Sequence, residues 1–214
     1  MSNCGLLWLY AVSLINNSVS CYNINDYQLE WSTNPKDLGV TMDSCLDYKK
    51  HIANIVHTAH TRANLILKCF VIRDPAVLVK AFITYVRPIL DYCSPVWSPH
   101  HIGQIKSIED VQHRFTKRLA NLYNVPYANR LEMFWLDSLE VRCIKQDLVM
   151  RYKILHELVC IDSSNFFIIV ELSRTRGHNY KMYKQQCRLD VRKYSFAYRV
   201  VDIWNDLPYD VVNA

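Results

Sequence analysis

Residues 81–118 read AFITYVRPILDYCSPVWSPHHIGQIKSIEDVQHRFTKR, and their periodicity decides the fold class. Ala81, Phe82, Tyr85 and Val86 continue a helical stripe begun by Val77 and Leu78. Asp74-Pro75 opens that helix, an acceptor side chain followed by proline at the first helical position. Pro88 has no amide hydrogen and must kink or end it. Pro95 and Pro99, with Val96-Trp97-Ser98 between them, form a rigid aromatic connector. Ile105, Ile108, Val111, Phe115, Leu119 and Leu122 then form the apolar stripe of a helix over about 103–123. Its other face lines up His113, Arg114, Lys117, Arg118 and Asn121. The product is a helical scaffold that presents cations.

Upstream, Tyr48, Ile52, Ile55, Val56, Ala59, Ala63, Ile66, Leu67 and Phe70 give a long helix its stripe, with Asp47 as its cap. Before it the pattern turns β-like. Residues 22–31 alternate loosely, Ser32-Thr33-Asn34-Pro35 is a turn cluster, and Leu38, Val40 and Met42 fall on one strand face. Together they read as a hairpin, with Gly39 marking a bulge or a close backbone approach. Downstream, 127–134 is a short helix. Asp137 with Glu140 resembles a capping box for a helix over 140–159 that buries Val141, Ile144, Leu148, Tyr152, Leu155 and Val159. Phe196, Val200, Ile203, Trp204 and Leu207 give a last amphipathic helix, stopped at Pro208. The fold class is therefore mainly α: a short N-terminal β-hairpin, a helical middle and a helical C-terminal region with a basic arm.

The chain has 214 residues, half of them apolar and 21% charged, enough to bury a core and too apolar for global disorder. The net charge of +5 is unevenly placed. Residues 171–199 hold eight Lys/Arg and two acids, a local +6 that leaves −1 for the remainder. A concentrated positive segment is the footprint of a polyanion ligand. The eight cysteines are never closer than 17 residues, so they form no metal-ligand pair and read as reduced, mostly buried thiols of an intracellular chain, in nucleus or cytoplasm. Residues 5–15 have signal-peptide length, but no Lys or Arg precedes Lys36. Residues 1–21 thus read as a buried strand or helix or a truncation stub, with an apolar leader as the lesser alternative, and neither secretion nor a membrane is expected.

Catalytic constellations are scarce. No Asp-Asp pair exists for a two-metal centre, and the adjacent Glu109-Asp110 fall in a helical pattern, where neighbours diverge by about 100°. They read as solvated helix charges. There is no Gly-x-Ser-x-Gly, no His-Glu-x-x-His and no phosphate-binding glycine loop. His57 and His60, with His51 nearby, lack acidic or cysteine partners at metal spacing and read as helix-surface residues; His100-His101 reads as a loop pair. Cations carry the functional signal. Arg114, Lys117 and Arg118 can meet successive phosphates. The 171–199 segment interleaves Arg174, Arg176, Lys181, Lys184, Arg192 and Lys193 with Tyr180, Tyr183, Tyr194, Phe196 and Tyr198. Its cations neutralise phosphates and its rings stack on unpaired bases, or else the rings pack on the helices beneath the cations' alkyl stems.

Several of these stretches resemble one family in the same order. Lys36-Asp37-Leu38-Gly39-Val40 resembles the strand that closes the palm in reverse transcriptases of non-LTR retrotransposons, the LINE and jockey-like elements. Val86-Arg87-Pro88-Ile89-Leu90-Asp91-Tyr92 with Ser94-Pro95-Val96-Trp97 resembles the region after that palm, and Gln112-His113-Arg114-Phe115-Thr116-Lys117 a later run. Arg174-Thr175-Arg176-Gly177-His178, the Arg188 to Lys193 block, and Phe196-x-x-Arg199 with Trp204-Asn205-x-Leu207-Pro208 resemble elements found late in these proteins.

The resemblance implies a division into 1–21, unmatched; 22–45, a hairpin remnant of the palm; 46–125, a thumb-like region; and 126–214, a C-terminal region whose basic segment is 171–199. It implies a parent RNA-directed DNA polymerase whose Mg²⁺ and catalytic aspartates lie in a palm that is missing here, so that no cofactor and no activity is expected of this chain alone. The implied partners are RNA, DNA or an RNA–DNA hybrid, and other polymerase segments. A helical protein-interaction module and a non-functional remnant are the alternatives.

Overall fold

The computed structural model describes residues 23–24, 27–28, 34–43, 45–71, 73–120, 122–170 and 178–213. The readings made on residues 1–22, on 29–33 with most of the alternating stretch and half of the turn cluster, on Asn121, and on 171–177 with Arg174 and Arg176, lie outside them. The described chain is mainly helical after a short N-terminal β region, as its periodicity requires.

Strands β1 (Asn23–Ile24) and β2 (Tyr27–Gln28) pair antiparallel, and so do β3 (Lys36–Asp37) and β4 (Val40–Thr41). The β3–β4 turn places Leu38 at φ 46° and Gly39 at φ 89°, the two positive values that a tight two-residue hairpin turn requires. Leu38 therefore lies in the turn and is exposed, not on a strand face with Val40 and Met42, which are both buried. Gly39 is needed for its positive φ and not for a bulge or a close approach, since a Cβ there would meet the Tyr92 ring at 3.6 Å, an ordinary contact. Tyr92 also donates its hydroxyl to Leu38 O at 2.9 Å, tying the turn to the helices.

Helix α1 (Lys49–Cys69) buries Ile52, Ala59, Ala63, Ile66 and Leu67, as its stripe predicts. Asp47 accepts the Lys49 amide at 2.9 Å, satisfying one of the free donors of the first turn. Helix α2 (Pro75–Tyr85) is capped by Asp74, which accepts the Ala76 amide at 3.0 Å. Its buried face carries Val79, while Tyr85 is exposed. Pro88 does break the helix: α3 (Arg87–Asp91) restarts around it, and α4 (Ser94–Trp97) turns the expected connector into one helical turn with Trp97 buried. Helix α5 (Ile102–Lys117) packs against α1 and α7, and α6 (Tyr127–Met133) against α5. One core gathers Val40, Ile52, Phe82, Trp97, Val111 and Phe115, and continues through Leu139.

Helix α7 (Leu139–Leu155) departs from expectation. Its cap is Ser138, whose hydroxyl accepts the Val141 amide at 3.2 Å, while Asp137 is paired with Lys145. Its most buried line is Cys143, Asp147, Arg151 and Ile154; Val141 is exposed, and Ile144, Leu148, Tyr152 and Leu155 are half-buried. Two charged groups occupy the inward line because each finds a distant partner. A 3₁₀ turn (Ser163–Asn165), α8 (Asp190–Lys193), α9 (Phe196–Asn205) and α10 (Tyr209–Val212) complete the chain. Ile154, Phe167, Met182, Phe196, Val200, Val201, Trp204 and Val212 form a second core.

Among the described residues the cysteines are not mostly buried. Cys45, Cys69 and Cys160 are exposed, Cys93 and Cys187 are half-buried, and Cys143 is buried; none of these is disulfide-bonded.

Candidate nucleic-acid interface

The α5 cations occupy the last turn of a long helix, where the carbonyl ends of the backbone favour positive charge. Arg114 is 68% exposed and pairs with Asp110 one turn back at 3.8 Å. Lys117 lies 4.8 Å over the exposed Tyr123 ring. The helix ends earlier than its stripe suggests, so Arg118 is the residue that caps it, and its guanidinium donates to Asn64 Oδ1 on α1. Burial, with Arg114 adding to it, lowers the pKa of His60 on α1. The end of α5 thus presents Arg114 and Arg118 to solvent, with Lys117 half-buried over the exposed Tyr123 ring. Sequence reasoning missed Tyr123, which lies outside the stripe; Lys117-x₅-Tyr123 has no helical spacing that would have signalled it.

In the C-terminal arm, Val170 N donates to Lys181 O at 2.9 Å and Tyr183 N to Ile168 O at 2.8 Å, around an Ile169–Met182 bridge. Lys184 pairs with Asp202. Arg192 donates to Gln185 Oε1 at 2.8 Å and sits 5.2 Å over Tyr198, and Lys193 lies 5.2 Å from the Tyr194 ring. Phe196 and Tyr198 are buried, so these two rings belong to the packing of α9. Tyr183 is exposed, while Tyr180 and Tyr194 are half-buried. Arg199, counted among the basic residues, is committed elsewhere: Nε and Nη2 grip both Asp147 oxygens at 2.7 and 2.9 Å, and Nη2 and Nη1 reach Pro95 O and Tyr194 O at 2.6 and 3.1 Å.

The two cation groups are not brought together. Tyr194 stacks on His100 at 4.1 Å with the ring planes 8° apart, which puts α8 beside the N-terminal end of α5. Arg118 closes the other end, and 16 helical residues span about 24 Å.

Glu109, Asp110 and Cys143 are taken up by the packing of α5 and α7. Glu109, read as a solvated charge, accepts the Leu139 amide at 2.7 Å and the Tyr127 hydroxyl, so it caps α7 from α5. Asp110 is the Arg114 partner. Burial pushes the Cys143 thiol up to about 12, with Asp147 adding to it, so a thiolate nucleophile is not formed there near neutrality. That thiol lines a cavity of about 180 Å³ between α5, α7 and α9. His51, read as a surface residue, is buried: Nδ1 accepts the Thr41 amide at 3.4 Å, and the ring meets Trp97 edge-on. Among the described residues no three His, Cys, Asp or Glu side chains are grouped to hold a metal ion. No helix among them is long and apolar enough to cross a membrane.

No protein-family model matches the chain, and neither does any solved structure. An uncharacterized protein of Caenorhabditis elegans, B0403.1, is 28% identical to it over 122 residues. The match covers 56% of this chain and 62% of that relative.

Proposed function

We propose that this chain is the C-terminal part of a non-LTR retrotransposon reverse transcriptase, comprising the end of the palm, the thumb and the region beyond. Its role on this reading is to hold the sugar–phosphate backbone of a template–primer or element RNA, without catalysing polymerisation. The observation that carries the reading is the ordered series of sequence blocks from Lys36 to Pro208. The cations at the end of α5 support it: Arg114 and Arg118 are exposed to a passing strand, and the half-buried Lys117 lies beside them over the Tyr123 ring.

Binding of an RNA–DNA hybrid across a salt series tests it. Each phosphate contact contributes about 0.9 to the slope of log affinity against log salt on a duplex. Replacing Arg114, Lys117 and Arg118 by Ala should therefore flatten the slope by two to three units. A folded wild-type chain that ignores the hybrid at low salt would overturn the reading and leave a protein-interaction module or an inert remnant.

A further inference from the structure

Neither cation group described above includes α7, yet its outer face is basic. Arg142, Lys145, Val149 and Lys153 lie along one side of the helix, within about 60° of a common line at 100° per residue. With Pro95, Gln146 and Met150 they line a groove of about 290 Å³. The groove belongs to the α3–α4–α7 side of the molecule. Arg142 forks onto Asp91 of α3, and Gln146 meets the Ser94 hydroxyl of α4. Arg118, by contrast, is tied to α1.

Charge favours an anion here. Arg142 is matched by Asp91 and Lys145 by Asp137. Arg87, close enough to Arg142, Asp91 and Asp137 to feel all three charges, is a fourth cation of the cluster. Lys153 is exposed and carries no ion pair among the described residues. Two carboxylates thus face four cations. The matched carboxylates fix one end of Arg142 and of Lys145 and leave each with further N–H donors beside the groove. The 11 steps from Arg142 to Lys153 cover about 17 Å of axis, a distance along which one nucleic-acid strand offers a phosphate every 3.4 Å or so. The floor of Pro95, Val149 and Met150 has no aromatic ring for base stacking, so the groove suits a backbone and not a base.

We infer that the α7 groove is a further contact for the sugar–phosphate backbone of a nucleic-acid strand, on a side of the molecule separate from the α5 face. This inference rests on the proposed nucleic-acid role, and the experiment separates the two. Fluorescently labelled single-stranded RNA, single-stranded DNA and an RNA–DNA hybrid are titrated with the full chain between 50 and 200 mM salt. The variants are K145A/K153A and R114A/K117A/R118A, each with its urea midpoint measured as a check of folding. Lys145 and Lys153 are exposed, so their loss should leave the midpoint near wild type.

Two lost phosphate contacts, at about 0.7–0.9 each, lower the salt slope by about 1.6. The fourfold change in salt then costs the double variant about 10-fold less affinity than it costs wild type. Which of the three probes shows this difference identifies the strand that lies in the groove. An unchanged slope in the α7 variant on every probe, with a flatter one in the α5 variant, overturns the groove and leaves the proposed function standing. A wild-type chain that binds no probe at 50 mM salt overturns both. Poly-glutamate that competes as well as RNA at equal charge, and loses its grip equally in K145A/K153A, replaces the strand with an acidic protein segment.

Discussion

The Asp147–Arg199 pair should be worth far more when broken than when replaced. The Asp147 side chain is 7% exposed and that of Arg199 is 19%. Burial raises the Asp147 carboxyl above its ordinary range, while Arg199 opposes the rise by hydrogen bond and charge. Removing Arg199 leaves an uncompensated buried carboxylate and empties two carbonyl contacts, at Pro95 and Tyr194. Arg199→Ala should therefore cost about 4 kcal/mol in urea unfolding at neutral pH. Asp147→Ala should cost less, about 2 kcal/mol, because Arg199 keeps both carbonyl acceptors and some water. Asp147→Leu with Arg199→Met should return to within about 1 kcal/mol of wild type, since no charge is left to desolvate. The sign with pH is also fixed. Without Arg199 the folded-state pKa of Asp147 stays above the unfolded one, so the folded state takes up the proton first. Stability of Arg199→Ala should then recover as pH falls through the folded value, while the Leu/Met double variant shows no such recovery. A cost below about 1 kcal/mol for Arg199→Ala, or single costs that simply add in the double variant, would refute this account.

Three other outcomes are expected. His51, His60, His100 and His113 all have pKa values lowered by burial first of all, with nearby cations or a neighbouring histidine adding to it. Their contribution to stability is complete above the ordinary value of 6.5 and is lost as pH falls below it, so the thermal midpoint should drop between pH 7 and 5. His51→Phe should shallow that drop; a midpoint that holds or rises contradicts it. Ser138→Ala should cost about 1 kcal/mol by removing the α7 cap, whereas Asp137→Ala should cost only a few tenths through its exposed Lys145 pair, as compared by urea unfolding. Arg151 is fully buried, its Nη1 and Nη2 have no hydrogen-bond partner, and its pKa is lowered to about 10 by burial. It is still charged near neutrality, so Arg151→Met, which keeps contact with Phe167 and Trp204, should leave the urea midpoint unchanged or raise it.

What could be read in the sequence was what is local. Asp74-Pro75, the α1 stripe and Pro88 act within a few residues of themselves, and each forms the expected element. The inward line of α7 could not be read, because its reasons lie far away in the chain. Asp147 faces inward to meet a residue 52 positions later, and Arg151 to lie over Phe167 and Trp204. Apolar counting therefore selected the neighbouring line of Ile144, Leu148, Tyr152 and Leu155, which the fold leaves half-buried. The cation set of α5 was visible as a helical face. That Arg118 caps the helix and binds Asn64 depends on where α5 stops, and the spacing ran on past that point. Glu109 shows the same limit: adjacency to Asp110 marked it as a helix charge, but its role comes from the amide of Leu139, 30 residues on.

Arg199 also decides how the arm relates to the α5 cations. Its guanidinium touches α7 through Asp147, α4 through Pro95, and the end of the basic segment through Tyr194. Tyr194 in turn stacks on His100, at the head of α5. The base of the arm is thus fixed to the N-terminal side of a helix whose C-terminal side carries Arg114, Lys117 and Arg118. A ligand that meets both groups has to cover about 24 Å, close to seven base steps at 3.4 Å along one strand. On the proposed function, an oligonucleotide shorter than this engages one end or the other but not both. The spacing comes from the length of α5, and the anchoring from a buried ion pair whose own net stabilisation is small. On this reading the pair matters less for how stable the chain is than for where its cations stand.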